Sequence, residues 1–433
     1  MGKVYYRNGC VQYMDAEDHV DISIPQQDVI ALLASAEMPK ISDQKEITDQ
    51  IKNPGFGPSI KQLIKTKKAK SASVIISDAT RGVPTYLVAP QIVKELVDGG
   101  IDPKNILFVV ALGVHRPASD EEIRAAIGEE LYGKVRVENH MPFDREAIVY
   151  LGNTQFGTPV EVYANAYNCD IHISIGKVEL HCFAGYSGGR KSVLPGISSS
   201  RTIAINHTAE KISHKNSIPG TLEGNCIHED MLQAAQLYGL DYTVNMVLND
   251  DGEVSAVFAG ALEPCHSAAV EYLNKYCKVP VSEKADIIVM NTGRPKNIDF
   301  YQAVNSLVAV MPIVQPNSVI VLFADCREGV NSPDMMLPFE MTSTIDELEK
   351  YMLTNYKIQM DCTLLILRLL KMGVKIIGIS PNVSDEEFRK MHIEPCRNSA
   401  DAIKKAYILT GKTNPRVLIY PHPQKSLPYF EIL

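Results

Sequence analysis

The sequence lacks several features that mark particular classes of protein. No apolar run reaches the roughly 18 residues that a membrane-spanning helix needs, and the N-terminus has no signal-peptide core. No two of the nine cysteines form a CxxC pair, which argues against a zinc ribbon or a disulfide framework and favours reduced thiols in the cytoplasm. The net charge is -8, and no basic stripe is interleaved with aromatics. We therefore expect a cytoplasmic protein that binds neither membrane nor nucleic acid.

Short β-branched segments alternate with segments of helical pattern along most of the chain. Such alternation is typical of parallel βαβ units. Because 433 residues exceed what one hydrophobic core usually spans, we predict two α/β domains with mostly parallel, Rossmann-like sheets. The segment Lys278–Ser282 marks the boundary, which gives domains 1–278 and 279–433. The predicted strands include residues 73–77, 106–111, 134–138, 169–176, 242–248, 254–258, 286–290, 318–323, 374–379 and 416–420.

Four of the predicted strands end in loops that carry reactive side chains. These loops are Asp78–Arg81, His115–Arg116, Lys177–His181 and Thr292–Asn297. In open α/β sheets, ligands bind beyond the carboxyl ends of the strands. The loops are therefore candidates to converge on one site, although they are spread over more than 200 residues.

The richest set of reactive side chains lies in residues 181–196, whose sequence is His-Cys-Phe-Ala-Gly-Tyr-Ser-Gly-Gly-Arg-Lys-Ser-Val-Leu-Pro-Gly. Glycines reach positive φ at no steric cost, and successive N–H groups in such a turn form an anion-binding concavity. Around it, Lys191 supplies a nucleophilic amine, while His181 and His207 supply an imidazole base and a metal ligand. The P-loop pattern fails because Arg190 stands where its second glycine must be.

His115 and His181 each follow a predicted strand and lie near glycine and arginine. A histidine pKa near 6.5 suits proton transfer at neutral pH. A reaction that inverts a stereocentre needs an acid or base on each face of the substrate, which two histidines provide. Asp78, Thr80 and Arg81 add groups that bind carboxylates, phosphates or hydroxyls.

In combination, these motifs resemble the nickel-dependent lactate racemase family, and the resemblance spans essentially the whole chain. It implies a fold of two α/β domains with the active site in the cleft between them. The shared motifs are Asp78-x-x-Arg81, Gly113-x-His115-Arg-Pro, His181-x-x-x-Gly-x-Ser-Gly-Gly-x-Lys191-x-x-x-Pro-Gly, Asn206-His207 and Tyr301-Gln302.

The resemblance implies a cofactor, the nickel-pincer nucleotide, which is a pyridinium mononucleotide with two sulfur-bearing arms and one nickel ion. Lys191 would hold it covalently through a thioamide, and His207 would be the protein ligand to nickel. Cofactor-biosynthesis proteins are the implied partners. The residues that would contact the nucleotide and the substrate region are Asp78, Ala79, Thr80 and Arg81.

The resemblance also implies the reaction. His115 and His181 would be the two proton donors and acceptors. One takes the proton from the C2 hydroxyl of a 2-hydroxy acid while a hydride leaves C2 for the cofactor, and the hydride returns to the other face. Arg81, Tyr301 and Gln302 would contact the substrate.

Two departures from the family argue against lactate as the substrate. Asn305 stands three residues after Gln302, where the lactate racemases have a lysine that helps hold the substrate carboxylate. The chain also has no tryptophan, whereas the lactate enzymes place one near the pocket. We expect Asn305 to contact the substrate, and the substrate to be a larger or polyhydroxylated 2-hydroxy acid.

Two alternative functions remain open at this point. One is a nucleotide- or phosphate-dependent transferase that uses the glycine turn of residues 185–189 as its anion site. The other is a non-catalytic protein that binds a nucleotide or a hydroxy acid on the same scaffold.

Overall fold

The computed structural model describes residues 3–357 and 360–430. The first strands are β1 (Lys3–Arg7), β2 (Cys10–Asp15), β3 (Val20–Pro25), β4 (Val29–Leu32), β5 (Ala72–Ser77), β6 (Ile106–Ala111), β7 (Arg136–Asn139), β8 (Ile148–Asn153), β9 (Pro159–Tyr163), β10 (Ile171–Lys177), β11 (Leu180–His181) and β12 (Gly185–Tyr186). The later strands are β13 (Tyr242–Leu248), β14 (Val254–Gly260), β15 (Lys278–Val281), β16 (Ile287–Asn291), β17 (Val319–Phe323), β18 (Lys375–Ile379), β19 (Glu394–Pro395), β20 (Val417–Pro421) and β21 (Leu427–Phe430).

The helices occupy the segments between most of these strands. The first are α1 (Gln44–Lys52), α2 (Ile60–Lys67), α3 (Ala89–Asp98), α4 (Asp120–Ile127), α5 (Ala164–Tyr167), α6 (Ser200–Asn206), α7 (Ala209–Ser213) and α8 (Cys226–Tyr238). The later helices are α9 (Leu262–Cys277), α10 (Phe300–Val304), α11 (Pro333–Glu340), α12 (Ile345–Asn355), α13 (Asp361–Lys371), α14 (Asp385–Lys390) and α15 (Ser399–Thr410). In residues 3–357 and 360–430, no helix combines the length and the apolar composition needed to cross a membrane.

All ten strands predicted above are present, with ends shifted by no more than two residues. The sequence pattern of residues 298–313 predicts one helix, but α10 gives way at Asn305 to a 3-10 helix that ends at Val310. The sequence pattern of residues 345–370 predicts a helical region, and the structure has two helices there, α12 and α13. Residues 358 and 359 of this region lie outside the described part of the chain.

The chain forms two compact units, and neither is one continuous stretch. The C-terminal unit comprises Met1–Ala36, Thr208–Gly220 and Cys277–Leu433, and the central unit comprises Glu37–His207 and Thr221–Tyr276. The chain passes from the central unit to the C-terminal unit for the last time at residue 277, next to the predicted boundary after residue 278. The division nevertheless differs from the continuous ranges 1–278 and 279–433, because residues 1–36 and 208–220 group with the C-terminal part.

The central unit is built on a six-stranded sheet of order β14-β13-β10-β5-β6-β7. All its pairs are parallel except the β13–β14 pair at one edge. Apolar side chains of α1 to α4 and of the strands form one core. Because β10, β5 and β6 are parallel neighbours, the segments that follow them emerge at the same edge of the sheet.

The C-terminal unit is built on a wholly parallel sheet of order β19-β18-β17-β16-β20-β4. Alternate residues of its strands face opposite layers. Ile288 and Met290 of β16 pack with helices that include α11 to α14, whereas Ile287 and Val289 pack with α15 and the β1–β3 sheet. The N-terminal segment therefore belongs to this unit in two ways. Its strand β4 is an edge strand of the parallel sheet, and its strands β1–β3 pack on one face of that sheet.

A single carboxylate of the N-terminal segment joins the strand ends of this sheet. Asp18 is 1% exposed. It accepts hydrogen bonds from the side-chain amides of Asn291 (3.1 Å) and Asn297 (2.7 Å). It also accepts from the backbone N–H groups of Gly293 (2.6 Å) and Asp325 (3.2 Å). The loops after β16 and β17 are therefore held by one buried charged group.

Replacing Asp18 by alanine should destabilise the C-terminal unit by about 3 kcal/mol or more, because several buried donors lose a charged acceptor at once. Urea unfolding followed by circular dichroism measures this. Asp21→Ala, an exposed change on the neighbouring strand β3, is the matched control and should cost under about 0.5 kcal/mol. Equal effects of the two substitutions would contradict the role given to Asp18.

Candidate active site

Three of the four reactive loops predicted from the sequence follow neighbouring strands of the central sheet. Asp78–Arg81 follows β5, His115–Arg116 follows β6, and His181 lies a few residues beyond the end of β10. The N–H of Gly113 donates to the carbonyl of Gly196 at 2.9 Å, which joins the His115 loop to the glycine-rich stretch. These three loops therefore begin at the same edge of the central sheet. The fourth, Thr292–Asn297, follows β16 of the C-terminal sheet.

His115 is held by two residues of the β5 loop. Its Nδ1 lies 3.2 Å from Oδ2 of Asp78, and its Nε2 lies 3.3 Å from Nη2 of Arg81. A carboxylate only accepts and a guanidinium only donates. In its neutral form, His115 therefore carries its proton on Nδ1 and has a lone pair on Nε2.

The Asp78 carboxylate is an ionised anchor for this loop. Burial by itself would raise its pKa, but hydrogen bonds from His115 and Thr80 and the charge of Arg81 outweigh burial and lower the pKa to about 2. Both the N–H (2.8 Å) and the hydroxyl of Thr80 donate to Oδ1. The turn Ala79–Arg81 that Asp78 caps is exposed, so its side chains are available to a ligand.

Phe183 is the centre of the second cluster of site residues. Its ring meets those of His181 and His207 edge to face, with centroids 4.7 Å and 5.0 Å away. The Nζ atom of Lys191 lies 5.9 Å from the same centroid. Three residues singled out from the sequence are thus assembled around one aromatic side chain. Phe183 has no signal in the sequence beyond its place inside the motif, between His181 and Lys191.

His181 has the opposite tautomer from His115. Its Nδ1 accepts hydrogen bonds from the backbone N–H groups of Phe183 (3.4 Å) and Ala184 (3.3 Å). A nitrogen that accepts carries no proton, so the neutral ring has its proton on Nε2. One of the two histidines therefore presents an acceptor at Nε2 and the other presents a donor there.

The amine of Lys191 is unusual for a lysine. Burial is the main cause that lowers its pKa from 10.5 to about 7, and the charges of Arg190 and Arg81 lower it further. The influence of Arg81 also places the β5 loop near Lys191. At neutral pH a large fraction of the amine lacks its proton and is nucleophilic.

His207 ends α6 and is 6% exposed. Its Nδ1 lies 3.2 Å from the carbonyl oxygen of Ile203, so Nδ1 donates and Nε2 carries the lone pair. The preceding Asn206 donates to the buried carboxylate of Asp230 at 2.9 Å, which fixes the end of the helix. Within the described part of the chain, no group of three or more His, Cys, Asp or Glu side chains is arranged to hold a metal ion.

The glycines of the motif let the loop pack closely against other parts of the chain. A Cβ on Gly185 would lie 2.2 Å from the carbonyl oxygen of Thr221, and one on Gly188 would lie 2.8 Å from Oδ1 of Asn245. The N–H of Gly189 donates to that same Oδ1 at 3.0 Å. These glycines bring the loop against Thr221 and Asn245, and Asn245 takes the N–H of Gly189.

Tyr301, Gln302 and Asn305 lie in the C-terminal unit, at or just after α10, and all three are half-buried. The amide of Asn305 donates to the carbonyl of Tyr301 at 3.2 Å, and the hydroxyl of Tyr301 lies 3.2 Å from Oδ1 of Asp361. Burial raises the pKa of Asp361 to about 6. Sequence reasoning missed Asp361, because it follows Tyr301 by sixty residues and has no motif of its own.

Asp78→Asn should lower stability most at neutral pH. The folded-state pKa of Asp78, about 2, is below the unfolded value of 3.8, so its ionised form stabilises the fold above pH 4, by about 2 kcal/mol. That contribution is lost as the pH falls from about 4 to 2. Thermal unfolding of wild type and variant from pH 3 to pH 7 measures the difference. The exposed Asp251→Asn is the control, and a pH-independent difference for Asp78→Asn would contradict the assignment.

Comparison with known proteins gives a consistent result. Residues 16–219 match the model of the lactate racemase N-terminal domain, and residues 281–423 match that of the C-terminal domain. The chain is 29% identical over 379 residues to the lactate racemase of Lactiplantibacillus plantarum, covering 86% of this chain and 88% of that protein. It is 27% identical over 386 residues to the lactate racemase of Thermoanaerobacterium thermosaccharolyticum, covering 88% and 89%.

Solved structures show the same fold. The lactate racemase apoprotein of T. thermosaccharolyticum superposes with a TM-score of 0.86 at 25% identity, over 95% of this chain and 97% of that one. A protein from Thermotoga maritima shares the fold with a TM-score of 0.64 at 17% identity, over 91% of this chain and 100% of that one. The two domain models together span most of the sequence, and the chain therefore belongs to the lactate racemase family and is an enzyme of the racemase class.

Proposed function

We propose that the protein inverts C2 of a 2-hydroxy acid, with His115 and His181 as the paired proton acceptor and donor. The observation that carries this proposal is the setting of His115, whose Nδ1 donates to the Asp78 carboxylate and whose Nε2 carries a lone pair, which is the arrangement of a general base. A histidine donates a proton from its imidazolium form, so each histidine accepts the proton in one direction of the reaction and, once protonated, returns it in the other. The lactate racemase relatives support the substrate class.

The residues of the central unit fit the nickel-pincer nucleotide that the family resemblance implies. Lys191 has an amine that is largely unprotonated near pH 7, as covalent attachment requires. His207 has its lone pair on Nε2, as a metal ligand requires. The described residues contain no cluster of metal ligands, which agrees with a nickel ion whose other donors are the sulfur arms of the nucleotide.

Once bound, the nucleotide would supply the hydride acceptor that a side chain cannot provide. The protein supplies the proton chemistry around it. Nε2 of His115 takes the proton of the C2 hydroxyl for one enantiomer, and His181 does so for the other. Asp78 holds the His115 ring and stabilises its protonated form, since the carboxylate accepts from Nδ1 at 3.2 Å. The exposed guanidinium of Arg81 is the candidate to bind the substrate carboxylate.

The substrate we propose is larger than lactate and carries further hydroxyl groups. Asn305 brings a neutral amide, and neighbouring Tyr301 is joined to the carboxyl of Asp361. This set offers hydrogen-bond donors and acceptors rather than a second positive charge. Such groups bind hydroxyls, whereas a small anion gains little from them.

The test uses protein co-expressed with the cofactor-making enzymes. We expect the wild type to contain nickel, to carry an adduct on Lys191, and to racemise at least one member of a panel of 2-hydroxy acids of different size and charge. Lys191→Ala should lose the adduct and more than 99% of the activity, because the attachment amine is gone. Intact mass, metal analysis and chiral chromatography are the measurements.

The exposed Lys134→Ala is the control and should keep both adduct and activity. Nickel-free wild type without an adduct would overturn the cofactor assignment. Turnover of no 2-hydroxy acid by a loaded protein would overturn the reaction. Ligand binding without turnover, unchanged in a His115→Ala/His181→Ala double variant, would favour the non-catalytic alternative.

Asn305→Lys should shift preference towards lactate. A lysine ammonium can pair with the substrate carboxylate, and one such contact is worth about tenfold in kcat/KM. We therefore expect the ratio of kcat/KM for lactate to that for a polyhydroxylated 2-hydroxy acid to rise about tenfold. Asn355→Lys, an exposed change in α12, adds the same charge away from α10 and should leave the ratio unchanged. An unchanged ratio in Asn305→Lys would remove Asn305 from the specificity determinants.

A further inference from the structure

Arg190 is a buried cation with no acidic partner. It is 1% exposed, and within the described part of the chain no carboxylate forms an ion pair with it. Burial lowers the pKa of its guanidinium to about 9, so the group remains charged at neutral pH. An uncompensated buried charge is costly, and an apolar side chain of similar volume would be more favourable for stability alone. The charge therefore calls for a reason other than the fold's stability.

The guanidinium of Arg190 instead binds the backbone that precedes it. Its Nη2 donates to the carbonyls of Ala184 (2.9 Å) and Tyr186 (2.8 Å). Its Nη1 donates to the carbonyls of Ser187 (3.3 Å) and Gly188 (3.2 Å). A planar fork with fixed donors can hold several acceptors at once, which a lysine cannot do. One side chain thus fixes residues 184–188 in a single bend.

This bend determines where Lys191 lies. The N–H of Lys191 donates to the carbonyl of Gly188 at 3.2 Å, so the lysine is hydrogen-bonded to a residue that Arg190 holds. Residues 184–188 lie between Phe183 and Lys191 in the sequence. In space, the Nζ atom of Lys191 lies 5.9 Å from the centroid of the Phe183 ring. The four carbonyl contacts act together with the bonds of Ser187 to Lys177 and Glu179 and of Gly189 to Asn245, and Nη1 of Arg190 also lies 2.7 Å from Nε2 of His266.

The charge of Arg190 acts on the same amine. The groups that influence the protonation of Lys191 are Arg190 and Arg81, which oppose its positive charge, and Cys182 and Glu179, which favour it. Among these, Arg190 is the largest electrostatic influence after burial. Arginine is suited to this role because it keeps its charge when buried, whereas a buried lysine readily loses its proton.

We propose that Arg190 is a positioning residue, which fastens backbone 184–188 and presents the Lys191 amine to the cofactor in its reactive form. The importance of that amine rests on the proposed function. The test below uses neither cofactor nor substrate. Its failure is therefore distinguishable from failure of the racemase assignment.

The experiment measures the reactivity of Lys191 in cofactor-free protein. Acetic anhydride is applied in short pulses from pH 5 to pH 11, and the acetylated fraction at Lys191 is read by peptide mass spectrometry. Wild type should show a midpoint near pH 7. In Arg190→Met, which fills the volume without the charge, the midpoint should rise by about one pH unit. Hydrogen exchange at the amides of residues 184–188 should accelerate at least tenfold.

Arg190→Lys tests whether the planar guanidinium itself is required, because lysine is also a long, polar side chain. We expect it to behave like Arg190→Met in both measurements, because a buried lysine gives up its proton and cannot reach four carbonyls. The exposed Arg145→Met is the control and should match wild type in both. Circular dichroism establishes that each variant is folded.

Three results would overturn the proposal. A wild-type midpoint near the ordinary value for lysine would do so before any variant is made. A folded Arg190→Met with an unchanged midpoint would reduce Arg190 to a packing residue. If Arg190→Met does not fold, the proposal is tested with Arg190→Lys. Wild-type values for both the acetylation midpoint of Lys191 and the hydrogen exchange of residues 184–188 in that variant would contradict the proposal.

Discussion

The parallel pairing of β10, β5 and β6 is the constraint on which the site depends. The loops that follow these strands are distant in sequence, but they emerge at the same edge of the central sheet because the strands are parallel neighbours. Asp78 then meets His115 directly, and the glycine-rich stretch that follows β10 joins the His115 loop through Gly113 and Gly196. The apolar strands are buried in the core and therefore fix the positions at which the polar loops begin.

The chemistry of the site comes from partners that only donate or only accept. A carboxylate and a guanidinium set the proton position on His115, and two backbone N–H groups set it on His181. A backbone carbonyl does the same for His207. Each neutral ring therefore has a defined proton position before any ligand binds. Two histidines of identical intrinsic chemistry become different because their neighbours differ.

The sequence was a good guide to features that depend on local pattern. β-branched runs located the buried strands of both sheets. It was a poor guide to contacts between distant residues. The association of residues 1–36 with the C-terminal unit, the bonds of Asp18 and the pairing of Tyr301 with Asp361 follow from tertiary packing, which no local pattern encodes. The close packing of the glycines could not be predicted, because Thr221 and Asn245, against which they pack, lie far along the chain.

The lowered pKa of Lys191 also couples folding to proton binding. Between about pH 7 and pH 10.5, the unfolded chain binds a proton at this lysine that the folded chain does not. The free energy of unfolding of the cofactor-free protein therefore gains a contribution that grows with pH across that window. An acyl group on the amine removes the titratable site, and with it this dependence on pH. Loading with cofactor would thus relieve a folding cost that the empty protein carries at neutral pH.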